Sequence, residues 1–235
     1  MDSERIYPCL CCGYMTLTEK PPGTYLICPI CFWEDDDNES EYGWGGSNHV
    51  SLRQAQLNFI AFGACEQEWL GYVRRPNTDD VRVPNWQTIE TLGKQASVTL
   101  IEKITAAFDG VKREDGISLH AARALDDWHS MEEAQKIGRQ IDCDRKWQDV
   151  PEQWIAEFCD VFPFFDPKGF RYYIPAYMVW ALKHYQSPNL GCTTYTVFVL
   201  TDSDGYYREH LRLVNEAQLQ VVKEFLDFMA TYSDY

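Results

Sequence analysis

The sequence lacks the features that mark several large classes of protein. No apolar run among its 235 residues approaches the ~18 residues that a membrane-spanning helix needs. The N-terminal stretch M-D-S-E-R-I-Y-P-C has no apolar core of the kind that secretory signals carry. We therefore expect a cytoplasmic protein without a membrane segment.

Motifs of the common catalytic folds are missing as well. The sequence contains no P-loop, no dinucleotide-binding glycine fingerprint, no G-x-S-x-G and no H-E-x-x-H. Four of its five histidines, His120, His129, His184 and His210, lie in the second half of the chain and lack metal-ligand spacing. Cys159 and Cys192 have no adjacent His or Asp arrangement that would mark an activated nucleophile. These absences favour a noncatalytic protein.

Basic residues are in the minority, with 21 Lys and Arg against 36 Asp and Glu, a net charge of −15. Such a surface repels phosphate backbones, so nucleic-acid binding is not expected. The acid is concentrated near the N-terminus, where residues 1–72 hold 11 acidic and 3 basic residues.

Six of residues 34–41 are acidic, and Trp33, Tyr42 and Trp44 accompany them. One interpretation is a solvated loop whose tryptophans point inward. Another is an interaction surface, with the three aromatics as anchors and the acids steering a basic protein partner. A third is a cation-binding loop, but the residue order of a calcium-binding hand does not fit.

Cysteine is abundant, and its nine residues are clustered, with five in the first 31 positions. Four of these form two C-x2-C pairs separated by 15 residues, which is zinc-ribbon spacing: Cys9, Cys12, Cys28 and Cys31. Each pair aims two sulfurs at one ion, and a hairpin brings the pairs together. We predict a closed, structural Zn²⁺ site. Iron is the alternative ion, because the knuckles resemble those of rubredoxin, an iron electron carrier, although the hairpin here is shorter.

Three further residues near this site are not part of the predicted ligand set. Cys11 lies inside the first pair, where it is either a ligand with poor chelate geometry or a buried thiol. Cys65 is interpreted as a small core residue. His49 is interpreted as a surface or capping residue before a helix that Ser51 caps. Gly13 follows the first pair and supplies the positive φ that a knuckle needs.

The pattern of apolar residues predicts an α+β protein. We predict a zinc-ribbon-like domain over 1–75, a linker over 76–86 and a mostly helical α+β domain over 87–235. Helices are predicted at 87–108, at 116–128, at 131–141 after a Ser130/Glu133 capping box, and after Asn215.

Two segments of the second domain have strand composition. They are F-R-Y-Y-I at 170–174 and T-T-Y-T-V-F-V-L at 193–200, and we predict that they form a short antiparallel sheet. In the same interpretation D-P-K-G at 166–169 is a turn, and Pro175 opens a helix.

The second domain offers one candidate ligand site. Arg171 lies among Asp166, Tyr173 and Tyr177, a basic group beside tyrosines that could bind a small anionic ligand. The alternative function is therefore an enzyme or a binder that acts on such a ligand at this site. The alternative is structural, with Arg171 paired to a carboxylate and the aromatics in the core.

Several motifs resemble known families. C-L-C-C-G-Y, P-P-G-T-Y-L-I-C-P-I-C-F-W-E-D-D, G-G-S-N-H-V-S-L and N-F-I-A-F-G-A-C-E resemble the bacterial cysteine-rich CPCC domain over residues 7–75, with Leu10 where that family has proline. This resemblance implies a cytosolic metal-binding module. Residues 98–231, with a G-F-R-Y-Y-x-P-A-Y-M core, resemble a bacterial domain family of unknown function. Together the resemblances imply a loose link to toxin–immunity systems, and hence an immunity-type interaction protein.

Overall fold

The structure, a computed structural model, describes residues 5–36, 46–187, 191–201 and 205–233. The chain divides into two compact units, the first running to Gln95 and the second beginning at Ala96. The described residues contain a two-stranded antiparallel sheet and eight α-helices. The predicted α+β class is therefore confirmed.

The first unit contains little regular structure. Strand β1 (Tyr7–Pro8) pairs with strand β2 (Met15–Leu17), with Tyr7 opposite Leu17. Helix α1 (Leu52–Phe62) begins after Ser51, whose hydroxyl accepts a hydrogen bond from the backbone N–H of Gln54. A short 3-10 helix follows at Gln67–Gly71.

The remaining helices are α2 (Ile89–Ala107), α3 (Leu119–Asp126), α4 (Met131–Ile141), α5 (Glu152–Glu157), α6 (Pro167–His184), α7 (Gly191–Thr201) and α8 (Glu216–Tyr232). Three predicted features are confirmed. Helix α2 lies within the predicted 87–108, a Ser130/Glu133 capping box opens α4, and Asn215 caps α8.

Helix α6 lies at the centre of the second unit's core. Asp166 caps its N-terminus by accepting hydrogen bonds from the backbone N–H of Gly169, at 3.0 Å, and of Ile117, at 2.7 Å. Tyr172, Tyr173 and other large side chains of this helix are fully buried. Aromatic burial on this scale contributes strongly to this unit's stability.

The predicted sheet in the second domain is wrong. Residues 170–174 lie inside α6 and residues 193–200 lie inside α7, so both segments are helical. The predicted turn at 166–169 is the start of α6, and Pro175 lies within that helix.

The physical reason differs between the two helices. Helix α6 is buried on most sides and apolar all round, whereas α7 also carries apolar side chains on its exposed side, at Tyr195 and Phe198. Neither sequence therefore shows a 3.6-residue apolar period, so aromatic and β-branched content suggests a strand. The hydroxyl groups of Thr196 and Thr201 donate to the carbonyls of Cys192 and Val197, which satisfies these polar groups within α7.

Within the described ranges, no helix is both long and apolar enough to cross a membrane.

Replacing Asp166 tests the cap of the central helix. Asp166→Ala removes the acceptor of two backbone N–H groups, and we expect it to lower the free energy of unfolding by about 1–2 kcal/mol. Asp166→Asn keeps a capping oxygen and is the matched control, with a much smaller expected loss. Urea unfolding followed by far-ultraviolet circular dichroism measures both. Equal losses of unfolding free energy in the two variants would show that Asp166 does not stabilise the protein by capping the helix.

Candidate metal centre

The first cysteine pair is held by a tight backbone turn. The N–H of Gly13 donates to the carbonyl of Cys9 at 2.8 Å, and the N–H of Cys9 donates to the carbonyl of Tyr14 at 2.9 Å. Gly13 has a φ of 75°, a left-handed conformation that glycine adopts without steric cost. This confirms the role predicted for Gly13.

The second pair repeats this backbone geometry. The N–H of Phe32 donates to the carbonyl of Cys28 at 2.8 Å, and the N–H of Cys28 donates to the carbonyl of Trp33 at 2.9 Å. Phe32 takes the position of Gly13 and also has a positive φ, 67°. Its ring stacks on Trp69 with centroids 4.4 Å apart. This packing offsets the strain of a left-handed non-glycine residue.

The two turns bring four sulfur atoms together. Cys9 Sγ lies 3.6 Å from Cys31 Sγ, and Cys12 Sγ lies 3.6 Å from Cys28 Sγ. All four sulfurs lie within 4.8 Å of one another, and all four cysteines are buried.

These distances fit one tetrahedral ion. Four sulfurs at ~2.3 Å from a zinc ion are separated by about 3.8 Å. A disulfide bond would require about 2.05 Å, and all four thiols are free. The residues present therefore fit a single ion with four thiolate ligands.

The thiols influence one another electrostatically. A hydrogen bond with Cys12 raises the pKa of Cys9. A hydrogen bond with Cys28 raises the pKa of Cys12. Burial is the main cause of the raised pKa of Cys31. The pKa of Cys28 is lowered because it accepts hydrogen bonds, first from Cys12 and also from Thr16 Oγ1 at 3.2 Å. A bound metal deprotonates its thiol ligands, and the positive charge of a divalent cation then offsets the repulsion among the four thiolates.

Cys11 and Cys65 lie beside this group and are both fully buried. The Cys11 thiol interacts with that of Cys31, and the N–H of Cys65 donates to the carbonyl of Cys31 at 2.6 Å. Burial raises the pKa of Cys65 to about 12. Neither belongs to the set of sulfurs that converge within 4.8 Å.

Residues 76–86, predicted as a linker, contact the first cysteine turn. The N–H of Val83 donates to the carbonyl of Gly13 at 2.9 Å, and Arg82 Nε donates to the carbonyl of Cys12 at 2.7 Å. The Arg82 guanidinium also lies 4.2 Å from the centroid of the Trp86 ring. No sequence pattern indicates these contacts, because Arg82 and Cys12 are 70 positions apart.

Gln56 is a second residue that the sequence did not point to. It lies buried on α1, and its side-chain Nε2 donates to the carbonyl of Leu10 at 2.9 Å. Its Oε1 accepts from the N–H of Ile89 at 2.7 Å. One amide therefore ties α1 to the first cysteine turn and to the start of α2.

His49 lies on the surface, as predicted, in a group with two carboxylates. Its Nδ1 lies 3.0 Å from Glu68 Oε1 and 3.5 Å from Glu66 Oε2. These three side chains have metal-ligating atoms, but an exposed imidazole beside two carboxylates is also an ordinary ion pair. We assign the group as a hydrogen-bonded contact on the surface.

Of the three aromatic residues predicted as interaction anchors, the structure describes only Trp33. Trp33 is only 2% exposed and packs in the core of the first unit. Tyr42 and Trp44 lie outside the described residues.

The predicted anion-binding residues are spread along α6 and its cap. Asp166 is the cap described above, while Tyr173 accepts a hydrogen bond from Arg113 at 2.6 Å. Tyr177 is fully buried, and its hydroxyl donates to the carbonyl of Phe158. Arg171 is half-buried, and its Nε has no hydrogen-bond partner. Asp166, Tyr173 and Tyr177 therefore have separate partners and do not share a partner with Arg171.

The second unit has a cleft of about 270 Å³ that is lined by residues including Arg113, Ser118, Gln135 and Arg139. None of the four predicted anion-binding residues lines this cleft.

The fold and the four buried cysteines define a protein with a candidate structural metal centre. Residues 7–80 match the family described as Cysteine-rich CPCC, and this segment contains all four cysteines of the site. Residues 96–235 match the Family of unknown function (DUF6714), so the chain belongs to that family. Both resemblances inferred from the sequence are confirmed. No curated protein and no solved structure matches the chain.

Gly13→Ala tests the geometry of the first turn. An added Cβ would overlap the indole of Trp86, in addition to the left-handed strain. Gly63→Ala is the matched control, because Gly63 has a φ of 92° but open space around its Cα. We expect Gly13→Ala to cost about 1–3 kcal/mol more than the control in the free energy of unfolding. Thermal and urea unfolding measure this difference, and similar losses would contradict the close packing of Trp86.

Proposed function

We propose that Cys9, Cys12, Cys28 and Cys31 hold one structural Zn²⁺, and that the chain is a noncatalytic protein-interaction protein. The observation that carries the first part is the convergence of four buried sulfurs within 4.8 Å. Four protein thiolates complete a tetrahedral shell, and a closed shell leaves no position for a water or substrate. The ion's role is therefore folding.

The size of the metal contribution supports a folding role. Binding of structural Zn²⁺ contributes about 10–16 kcal/mol at neutral pH, as much as the ~5–15 kcal/mol of total stability in an ordinary domain. The first unit has two short strands, one complete α-helix and the start of α2 in its described residues, and small units of this kind need such support. A reducing, cytoplasmic environment keeps the thiols available to the metal.

Charge supports the interaction role. The net charge of −15 attracts and orients a basic protein and accelerates its association at low salt. Neutralisation of a basic protein, as an immunity protein does, is the form of this role that we propose. The deep burial of Tyr173 and Tyr177 favours this role over a small-anion site on α6.

Alanine substitutions in two neighbouring buried thiols test the metal assignment. We expect wild-type protein and Cys11→Ala to contain one zinc per chain, and Cys28→Ala to contain well below one. Loss of the ion should also expose the amides of Gly13 and Phe32 to hydrogen exchange, because the two turns lose their common anchor. Elemental mass spectrometry after gel filtration and hydrogen-exchange mass spectrometry measure these quantities.

Two outcomes would contradict this assignment. Equal zinc content in Cys28→Ala and Cys11→Ala would show that the four sulfurs do not act as a set. A coloured protein that contains one iron per chain would show that the bound ion is iron, which is redox-active, and not zinc.

The interaction role predicts salt-dependent capture of basic proteins. The immobilised full-length chain should retain purified basic proteins at about 50 mM salt, where surface charges attract over more than ~10 Å. It should release them near 300 mM salt, where the screening length is below ~10 Å. Acidic proteins of matched size serve as the control. Failure to retain any basic protein at low salt would contradict the role.

A further inference from the structure

Trp128 is the most exposed large apolar side chain among the described residues, with 95% of its surface accessible. It lies in the turn between α3 and α4. Burial of an indole normally contributes strongly to stability, so an indole in this position contributes almost nothing to the fold. Met131, three positions further on, is 48% exposed.

The backbone at Trp128 is one that glycine favours. Its φ is 67°, and its N–H donates to the carbonyl of Leu125 at 3.1 Å, while that of His129 donates to Ala124 at 3.0 Å. These two bonds form the motif that commonly ends helices, in which the left-handed residue is usually glycine. Tryptophan is strained there, and neither packing nor turn geometry explains its presence.

The turn is also held rigidly on both sides. The helix-ending motif fixes its first half, and the Ser130/Glu133 capping box fixes its second half. Gly138 allows α3 and α4 to approach closely, because a Cβ there would overlap the hydroxyl of Ser118. A rigid support presents the indole to a partner with little loss of conformational entropy on binding.

The surroundings of Trp128 are acidic. Residues 126–133 contain four acidic residues and no Lys or Arg. Arg123 pairs with Asp126 at 2.5 Å and with Asp160 at 2.9 Å. Within the described residues, Asp127 and Glu132 are exposed and have no basic partner. An apolar anchor with an acidic rim matches an apolar socket surrounded by Lys and Arg.

We propose that Trp128 is the anchor of a docking site for a basic protein, with Asp127 and Glu132 on its rim. This proposal rests on the proposed interaction function and assigns it to the α3–α4 turn. Observed strain at an exposed aromatic is typical of a residue retained for function rather than for folding.

Trp128→Gly separates binding from folding. Glycine removes the indole and relieves the left-handed strain, so the variant should unfold at the same temperature as wild type or a higher one. Asn85→Gly is the matched control, because Asn85 is exposed and has a φ of 56° but carries no aromatic ring. A marked fall in the melting temperature of Trp128→Gly would overturn the proposal, since the indole would then serve the fold.

The binding test uses a random 12-residue peptide library selected on the full-length chain at low salt. Fluorescence anisotropy then measures the selected peptides, synthesised with a dye, against the three proteins. We expect peptides of net positive charge with at least one apolar residue. Their affinity should fall about 30-fold in Trp128→Gly and stay unchanged in Asn85→Gly.

The other outcomes are distinguishable. Basic peptides that bind Trp128→Gly as tightly as wild type would overturn the docking site but leave the proposed function intact. A selection that yields only neutral or acidic peptides, or none, would overturn both.

Discussion

The structure of the first unit depends on the convergence of four sulfur atoms. Its described residues include five in strands, one complete α-helix and the start of α2, so regular backbone hydrogen bonding cannot hold it alone. Two turns of the same backbone geometry present Cys9 and Cys12 on one side and Cys28 and Cys31 on the other. Four buried thiols in contact are unfavourable when charged. A divalent cation reverses that balance, because each thiolate then becomes a ligand.

The neighbours of the four cysteines hold the two turns in position. Arg82 and Gln56 donate to backbone carbonyls of the first turn, and Thr16 donates to the sulfur of Cys28. Contacts of this kind fix the orientation of ligands and the charge on the sulfurs. The second unit is stabilised differently, by an apolar core around α6. The chain therefore contains one unit organised by a candidate metal site and another organised by aromatic burial.

The sequence predicted what local geometry determines and missed what tertiary packing determines. The C-x2-C pairs and the Ser130/Glu133 capping box depend on residues close in the chain, and their spacing identified them. Residues 193–200 resemble a strand because their helix is rich in β-branched and aromatic residues, and burial overrides that preference. The left-handed Phe32 could not be foreseen, since its stacking on Trp69 joins distant segments. The strained Trp128 was equally invisible, because only the backbone shows its conformation.

X-ray absorption at the zinc edge of the purified full-length protein tests whether the four cysteines hold one ion. If they do, the spectrum shows one zinc per chain surrounded by four sulfur scatterers at ~2.3 Å, with no nitrogen or oxygen scatterer in the first shell. A first shell containing nitrogen or oxygen, or a protein without zinc whose four cysteines are paired as disulfides, would contradict it.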